Sequence, residues 1–169
     1  MNRTTQTKKA RQILAILLFA GTNGFADDSQ KKALRIIVSI PDCKLVLVEG
    51  DRVLRVFDVA VGKAATPSPQ GEFRIISRLD HPTWFGPRKV VGPGKSNPLG
   101  TRWMGLSVHG YGIHGTNVPN SIGKSASHGC IRMRNRDVEE LFDLVPVGTT
   151  VELAGERTEA IQKILTVAD

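Results

Sequence analysis

The chain has 169 residues, with 23 Lys and Arg against 16 Asp and Glu, and its formal net charge is +7 at pH 7. No dense basic run with interleaved aromatic residues follows residue 26, which disfavours nucleic-acid binding. The length and an apolar content of 40% are sufficient for one catalytic domain with a hydrophobic core.

The first 26 residues have the layout of a secretory signal peptide, and we expect cleavage after Ala26. Basic residues without an acid are followed by the apolar run 13–20 and by small residues at 24 and 26. This run is much shorter than the roughly 20 residues that span a bilayer, so no stable membrane anchor is predicted. Four Lys and Arg and no acid lie in this segment, so cleavage would lower the net charge to +3.

Short strands predominate after the predicted leader. Apolar, β-branched runs at 34–40 and 44–48 flank the turn residues Pro41 and Asp42, which predicts a hairpin. A third strand is predicted at 53–61 from its alternating pattern, and a fourth at 72–77.

The segment 79–106 is interrupted by nine Pro and Gly residues and contains Trp84, Phe85 and Trp103. A long irregular loop inside a compact domain is usually functional or disordered, and aromatic residues favour packing. We therefore predict a lid or wall of a substrate cleft; the alternative is an ordinary surface loop held by its tryptophans.

Short strands at 105–109 and 112–114 are predicted around a turn at 110–112, followed by a polar connection over 117–126. A helix capped by Asn135 and ended by Pro146 is expected to cover the sheet. A strand at 147–153 and a helical tail complete the chain. The pattern predicts a mostly β fold, a β-sandwich or barrel-like mixed sheet with a few peripheral helices. We assign residues 34–153 to one catalytic domain and 154–169 to the tail.

Residues that can carry chemistry are concentrated in His114-Gly115 and in the segment 127–133, Ser-His-Gly-Cys-Ile-Arg-Met. If that segment is extended, His128, Cys130 and Arg132 share one face, because side chains alternate along a strand. An imidazole can take the proton of a thiol, and nearby positive charge favours the anion. The cluster predicts an activated cysteine thiolate.

Two other interpretations of the cysteine segment remain open at this stage. A disulfide between Cys43 and Cys130 would be ordinary in an exported protein and would suit a non-catalytic, envelope-binding module. His109, His114, His128 and Cys130 could instead hold zinc. Their spacing matches no familiar metal motif, and no acid lies between residues 103 and 136, so we expect no metal and no cofactor.

These residues resemble the L,D-transpeptidases of the YkuD type, whose signature is a His-Gly pair followed by Ser-x-Gly-Cys-x-Arg. The resemblance extends to Val59–Lys63, Thr66-Pro67, Gly71–Phe73 and the segment 97–103, which ends in Gly-Thr-Arg-Trp. It covers roughly residues 34–153.

The resemblance implies a ping-pong acyl transfer on peptidoglycan stem peptides. Cys130 would attack the carbonyl at position three of a tetrapeptide stem, expel the terminal D-alanine and form a thioester. His114 would be the base, oriented by the carbonyl of Gly115. A second stem would then form a 3-3 cross-link, or a lipoprotein lysine would be attached; hydrolysis by water would instead make the protein an L,D-carboxypeptidase or hydrolase.

The remaining site residues receive supporting roles. Backbone N–H groups of His128, Gly129 and Cys130 are candidates for the oxyanion site. Ser127 would fix the loop or donate to the intermediate, and His128 would line the site. Arg132 would hold the substrate or form a structural salt bridge, while Trp103 and Tyr111 lie on the approach to the site. The leader and the resemblance predict export, to a periplasm or alternatively to the cell wall or exterior.

Overall fold

The computed structural model describes residues 33–168, so the predicted signal peptide lies outside the described residues. Twelve strands are described: β1 Leu34–Ser39, β2 Lys44–Glu49, β3 Arg52–Asp58, β4 Val61–Gly62, β5 Gly71–Asp80, β6 Trp84–Phe85, β7 Val90–Val91, β8 Arg102–Leu106, β9 Gly112–His114, β10 Ser125–Ser127, β11 Ile131–Arg132 and β12 Thr150–Ala154. Two α-helices, α1 Asn135–Leu144 and α2 Glu159–Ala168, follow the site segment, and a 3₁₀ turn spans Pro119–Ser121.

Eight of these strands form one mixed sheet in the order β11-β9-β8-β5-β12-β1-β2-β3. Strand β1 runs parallel to β12 and antiparallel to β2, and β11 runs parallel to β9. The predicted class, a mostly β fold with a mixed sheet and a few peripheral helices, is confirmed.

The first three strands include the predicted hairpin and form an antiparallel meander, but the third is shorter than predicted. β3 ends at Asp58. Val59 still donates to the carbonyl of Cys43 beside β2, and Ala60 then exchanges hydrogen bonds with Arg132. The next residues, Val61 and Gly62, pair with β10. This crossover brings residues 59–62 against the segment that contains Cys130.

The segment 79–106 is more regular than its composition predicts. It contains the end of β5, the small hairpin β6–β7 and the whole of β8. The strand predicted at 105–109 lies instead at Arg102–Leu106, because β8 pairs with β5 from Asp80 opposite Arg102 to Ile75 opposite Leu106. The chain then turns over residues 107–110 before β9.

The main core lies between the sheet and α1. Val138 and Leu141 of α1 are fully buried against it, and the helix ends at Leu144, next to Val145 and Pro146. Asn135 does not cap this helix as predicted. The N-cap residue is Arg134, and the side-chain oxygen of Asn135 accepts a hydrogen bond from the N–H of Thr116 at 3.0 Å.

The second helix, α2, covers the other face of the β1–β2–β3 end of the sheet. Its Ile161 packs with Ile37, Val46 and Val48 in a separate apolar cluster. These contacts explain why Leu45 to Val48 of β2 are all buried, since the strand has a covered surface on both sides. Among residues 33–168, no helix combines the length and hydropathy that crossing a bilayer requires.

Candidate active site

Strands β9 and β11 bring the predicted base and the cysteine segment together. They are parallel neighbours, with Ile113 opposite Ile131 and His114 opposite Arg132. Side chains at paired positions point to the same face, so Ile113 and Ile131 enter the core while His114 and Arg132 share the other face. Cys130 lies two residues before Arg132 and immediately precedes β11.

The imidazole of His114 is fixed in one orientation. Its Nδ1 lies 2.6 Å from the carbonyl oxygen of Gly115. A carbonyl can only accept, so Nδ1 carries the proton and, in the neutral ring, Nε2 is the free acceptor. The Trp103 ring stacks on the imidazole, with ring centroids 5.6 Å apart. His114 therefore has a defined tautomer with a basic nitrogen available.

Burial keeps His114 uncharged. The side chain is 4% exposed, and this desolvation lowers its pKa from 6.5 to about 4, assisted by the positive charge of Arg132. Hydrogen bonds to the carbonyls of Gly115 and Leu99 act in the opposite direction and are the weaker influence. At neutral pH, His114 can accept a proton.

Cys130 is partly exposed and lies among backbone groups. Its Sγ is 3.7 Å from the carbonyl oxygen of Gly110, to which the thiol can donate. Desolvation raises the pKa of the Cys130 thiol, while a hydrogen bond from the Gly112 backbone and the charge of Arg132 act to lower it. The resting thiol is therefore protonated, and it needs a base such as His114 to become a nucleophile.

The segment before Cys130 is not a continuous strand, which corrects the extended arrangement assumed for His128, Cys130 and Arg132. β10 ends at Ser127 and β11 begins at Ile131. Between them Gly129 has a φ of +110°, which turns the chain. His128 is exposed as a result, whereas Gly129 is buried.

The turn is held by Ser127, which is fully buried. Its Oγ accepts from the N–H of Gly129 at 2.9 Å and donates to the carbonyl of Cys130 at 2.6 Å. The N–H of Gly129 is therefore already engaged, which removes it from the predicted oxyanion donors. The N–H groups of His128 and Cys130 remain in that predicted set.

Tyr111 and Gly129 are close neighbours in this turn. A Cβ placed on Gly129 would lie 2.5 Å from the Tyr111 ring and 3.1 Å from the carbonyl oxygen of Pro67. Tyr111 thus forms a wall of the turn before the cysteine. Pro67 belongs to one of the segments to which the family resemblance extends.

Arg132 has no carboxylate within 4.0 Å among the described residues 33–168, which contradicts the structural salt bridge considered for it. The arginine of the Gly-Thr-Arg-Trp segment is different, since Arg102 pairs with Asp80 at 2.5 Å. Arg132 is the unneutralised cation on the face that carries His114.

The zinc interpretation requires His109, His114, His128 and Cys130 to converge. Within the described part of the chain, no three His, Cys, Asp or Glu side chains form a group that could hold a metal ion. His109 and His128 are both exposed, whereas His114 is buried against Trp103.

Both cysteines are free thiols, which contradicts the disulfide on which the binding-module interpretation depends. Cys43 lies in the turn between β1 and β2, with a φ of +52° and its Sγ 3.8 Å from the carbonyl oxygen of Ile40. Burial raises the pKa of Cys43, so this thiol is protonated and packed in the core.

Three residues that were not predicted as site residues support the site. Asn97 is fully buried; its amide donates to the carbonyls of Pro82 and Gly92 and its oxygen accepts from Leu99. Leu99 in turn presents its carbonyl to His114. Asn135 holds the N–H of Thr116, next to Gly115. An asparagine between Ser96 and Pro98 predicts only a turn, so its burial had no signal in the sequence.

Known proteins are similar to this chain in both sequence and fold. The family model of the L,D-transpeptidase catalytic domain, YkuD, matches residues 33–153. The YkuD protein of Bacillus licheniformis is 46% identical over 119 residues, which are 70% of this chain and 64% of that protein. The chain thus spans less than two thirds of this relative.

Solved structures agree with this match. A mutant L,D-transpeptidase from Enterococcus faecium has a TM-score of 0.62 at 25% identity, covering 72% of this chain and 50% of that one. An L,D-transpeptidase from Mycobacterium smegmatis has a TM-score of 0.61 at 21% identity, covering 72% and 58%, and shows the fold alone. Because the family model spans most of the chain, including the Cys130 segment and His114, this protein belongs to the YkuD family of L,D-transpeptidase catalytic domains.

Proposed function

We propose that this protein is an exported L,D-transpeptidase that forms a thioester between Cys130 and a peptidoglycan tetrapeptide stem. The observation that carries the proposal is the 2.6 Å contact between Nδ1 of His114 and the Gly115 carbonyl, which leaves Nε2 as the proton acceptor. The register of β9 and β11 supports it by placing His114 on the strand beside β11, which Cys130 immediately precedes.

In the first half-reaction, Nε2 of His114 takes the thiol proton as Sγ bonds to the carbonyl carbon of the residue at position three. The resulting oxyanion is stabilised by the N–H groups of His128 and Cys130 and by the charge of Arg132. Collapse of the intermediate breaks the C–N bond, and His114 returns its proton to the departing D-alanine amine.

In the second half-reaction, an acceptor amine attacks the thioester carbon and the Cys130 thiolate leaves. The amine loses one proton to His114, which passes it to the thiolate, so the enzyme is restored. The acceptor is a side-chain amine of a second stem, giving a 3-3 cross-link, or the lysine of an envelope lipoprotein.

The test is mass spectrometry of the mature protein after exposure to a purified tetrapeptide stem. We expect an adduct on Cys130 of the stem without its terminal D-alanine, together with free D-alanine. Cys130→Ala should abolish both, and Cys43→Ala, the matched control, should retain both. The mechanism would be refuted if Cys130 stayed unmodified in the wild-type protein and the Cys130→Ala variant still released D-alanine.

The same assay separates transfer from hydrolysis when a second stem is added. A transpeptidase yields a cross-linked dimer, whereas an L,D-carboxypeptidase yields only the tripeptide stem and D-alanine. Export is tested separately by measuring the intact mass of the protein recovered from the cell envelope. This mass should correspond to a chain that begins at Asp27. A product that begins at Met1 and is confined to the cytoplasm would overturn the export proposal.

A further inference from the structure

Charge is distributed unevenly along this chain. All 16 Asp and Glu lie within residues 1–80 or 137–169, whereas residues 81–136 contain eight Lys and Arg, all four His and no acid. This segment includes the β6–β7 hairpin, β8, β9, β10 and β11, and therefore every element that carries His114 and Cys130. The eight positive charges of residues 81–136 therefore account for the whole net charge of +7, since the rest of the chain has 15 Lys and Arg against 16 Asp and Glu.

Three of the eight cations are neutralised within the fold. Arg102 pairs with Asp80, Arg134 with Asp58 and Asp137, and Arg136 with Asp137. The other five have no carboxylate within 4.0 Å among residues 33–168, and we call them the unpaired cations: Arg88, Lys89, Lys95, Lys124 and Arg132. All but Arg132 are exposed.

Two of the unpaired cations adjoin segments that lead to the active site. Lys95 precedes Ser96, whose carbonyl accepts from the side chain of Asn117, two residues after Gly115. Lys124 immediately precedes β10, which ends at Ser127.

The remaining two exposed cations are carried by the β6–β7 hairpin. Arg88 and Lys89 lie in its turn, and Asn97 binds the carbonyls of Pro82 and Gly92 on either side of it. Because the oxygen of Asn97 also fixes Leu99 beside His114, the hairpin is held to the same scaffold as the catalytic base.

The hairpin also presents apolar surface beside its charges. Phe85 is 77% exposed and Val90 is 63% exposed, and Lys89 lies over the Trp84 ring with Nζ 6.0 Å from the ring centroid. Exposed aromatic and aliphatic side chains interleaved with lysines suit a ligand that offers both flat apolar surface and negative charge.

We infer that the unpaired cations form one docking surface for the polymeric substrate: a glycan strand whose neighbouring stem peptides present carboxylates to Lys89, Lys95 and Lys124 while one stem enters the cleft. This inference rests on the proposed function. In this arrangement the sugar rings of the strand pack on the exposed Phe85, and the stem carboxylates pair with the lysines.

The experiment compares one soluble tetrapeptide stem with a glycan strand that carries many such stems, using D-alanine release by the mature protein. For the strand, kcat/KM should fall steeply as NaCl increases from about 25 to about 400 mM, the range over which salt comes to screen charges strongly. For the single stem, kcat/KM should fall only slightly. The double variant Lys89→Glu/Lys95→Glu should lose about tenfold in kcat/KM on the strand and less than about twofold on the stem.

The matched control is Arg35→Glu/Lys163→Glu, which changes the net charge equally but lies outside residues 81–136. It should retain wild-type kcat/KM on both substrates. An equal loss on the strand in both double variants, or no loss in Lys89→Glu/Lys95→Glu, would overturn the inference.

Binding without turnover separates this inference from the proposed function. Cosedimentation of the Cys130→Ala protein with insoluble strands should be reduced by Lys89→Glu/Lys95→Glu and unaffected by the control pair, whether or not D-alanine is released. Strands from which the stems have been removed should pellet little protein. If stem-free strands, or a wall polymer carrying only phosphodiesters, pellet as much protein as intact strands, the assignment to stem carboxylates is wrong.

Discussion

Burial of His114 as a neutral imidazole makes the free energy of unfolding depend on pH. The pKa of His114 is about 4 in the folded protein, whereas an unfolded histidine titrates near 6.5. The unfolded chain therefore binds a proton that the folded protein excludes. The contribution of the neutral His114 imidazole to the free energy of unfolding is fully present above pH 6.5 and is lost as the pH falls toward 4.

The size of the effect follows from the difference between the two pKa values. Each pKa unit corresponds to about 1.4 kcal/mol, so the complete loss is about 3 kcal/mol, of which about 2.5 kcal/mol has occurred by pH 4.5. A loss of this size is a large fraction of the stability of an ordinary domain.

The perturbation that reveals it is His114→Gln, which removes the titrating group but keeps an amide N–H that can donate to the Gly115 carbonyl. Urea unfolding at pH 7.5 and 4.5 should show wild type losing about 2.5 kcal/mol more than the variant. Carboxylates with lowered pKa values, such as Asp42 and Asp58, are common to both proteins, so their contributions cancel. His128→Gln, at an exposed histidine, should behave as wild type. The same pH dependence in His114→Gln and wild type would refute the assignment of His114 as a buried neutral base.

Three further substitutions test the structure around the nucleophile. Ser127→Ala should cost about 1–3 kcal/mol in urea unfolding, because it leaves the Gly129 N–H and the Cys130 carbonyl without their shared partner; a change below about 0.5 kcal/mol would contradict that role. Gly129→Ala should lower the rate of Cys130 alkylation and the stability, because its φ of +110° and the Tyr111 ring leave no room for a Cβ; wild-type values for both would show that the turn adapts. Asn97→Ala should increase proteolysis within residues 82–100, checked by limited digestion, while unchanged cleavage would mean that other contacts hold the hairpin.

The sequence was most informative where one local pattern decides the structure. The alternating and β-branched runs of β1 and β2 and the turn at Pro41-Asp42 specify a hairpin without help from distant residues. The helical spacing of Val138 and Leu141 likewise puts both on one side of α1, which is the buried side. For the site, the His-Gly pair and the Ser-x-Gly-Cys segment identified the residues that β9 and β11 bring side by side.

The errors occurred where pairing with a distant segment decides the outcome. Leu106 and Val108 alternate with polar residues as in a strand, yet the register against β5 places the strand at Arg102–Leu106. Asn135 has the side chain of an N-cap, but the loop at Thr116 offers it a backbone N–H that competes with its own helix. The turn at Gly129 depends on Ser127, Tyr111 and Pro67, which come from three different parts of the chain.

The electrostatics of the site imply that His114 and Cys130 are both neutral in the resting protein. Burial lowers the pKa of His114 and raises that of Cys130, so transfer of the thiol proton to the imidazole is unfavourable before substrate arrives. Arg132 lowers the pKa of both groups, since its charge opposes protonation of His114 and favours the anion on sulfur. In the proposed mechanism, the same charge would stabilise an oxyanion formed from bound substrate. Proton transfer would then become favourable as negative charge moves from sulfur to the carbonyl oxygen, which would couple activation of Cys130 to attack on a bound stem.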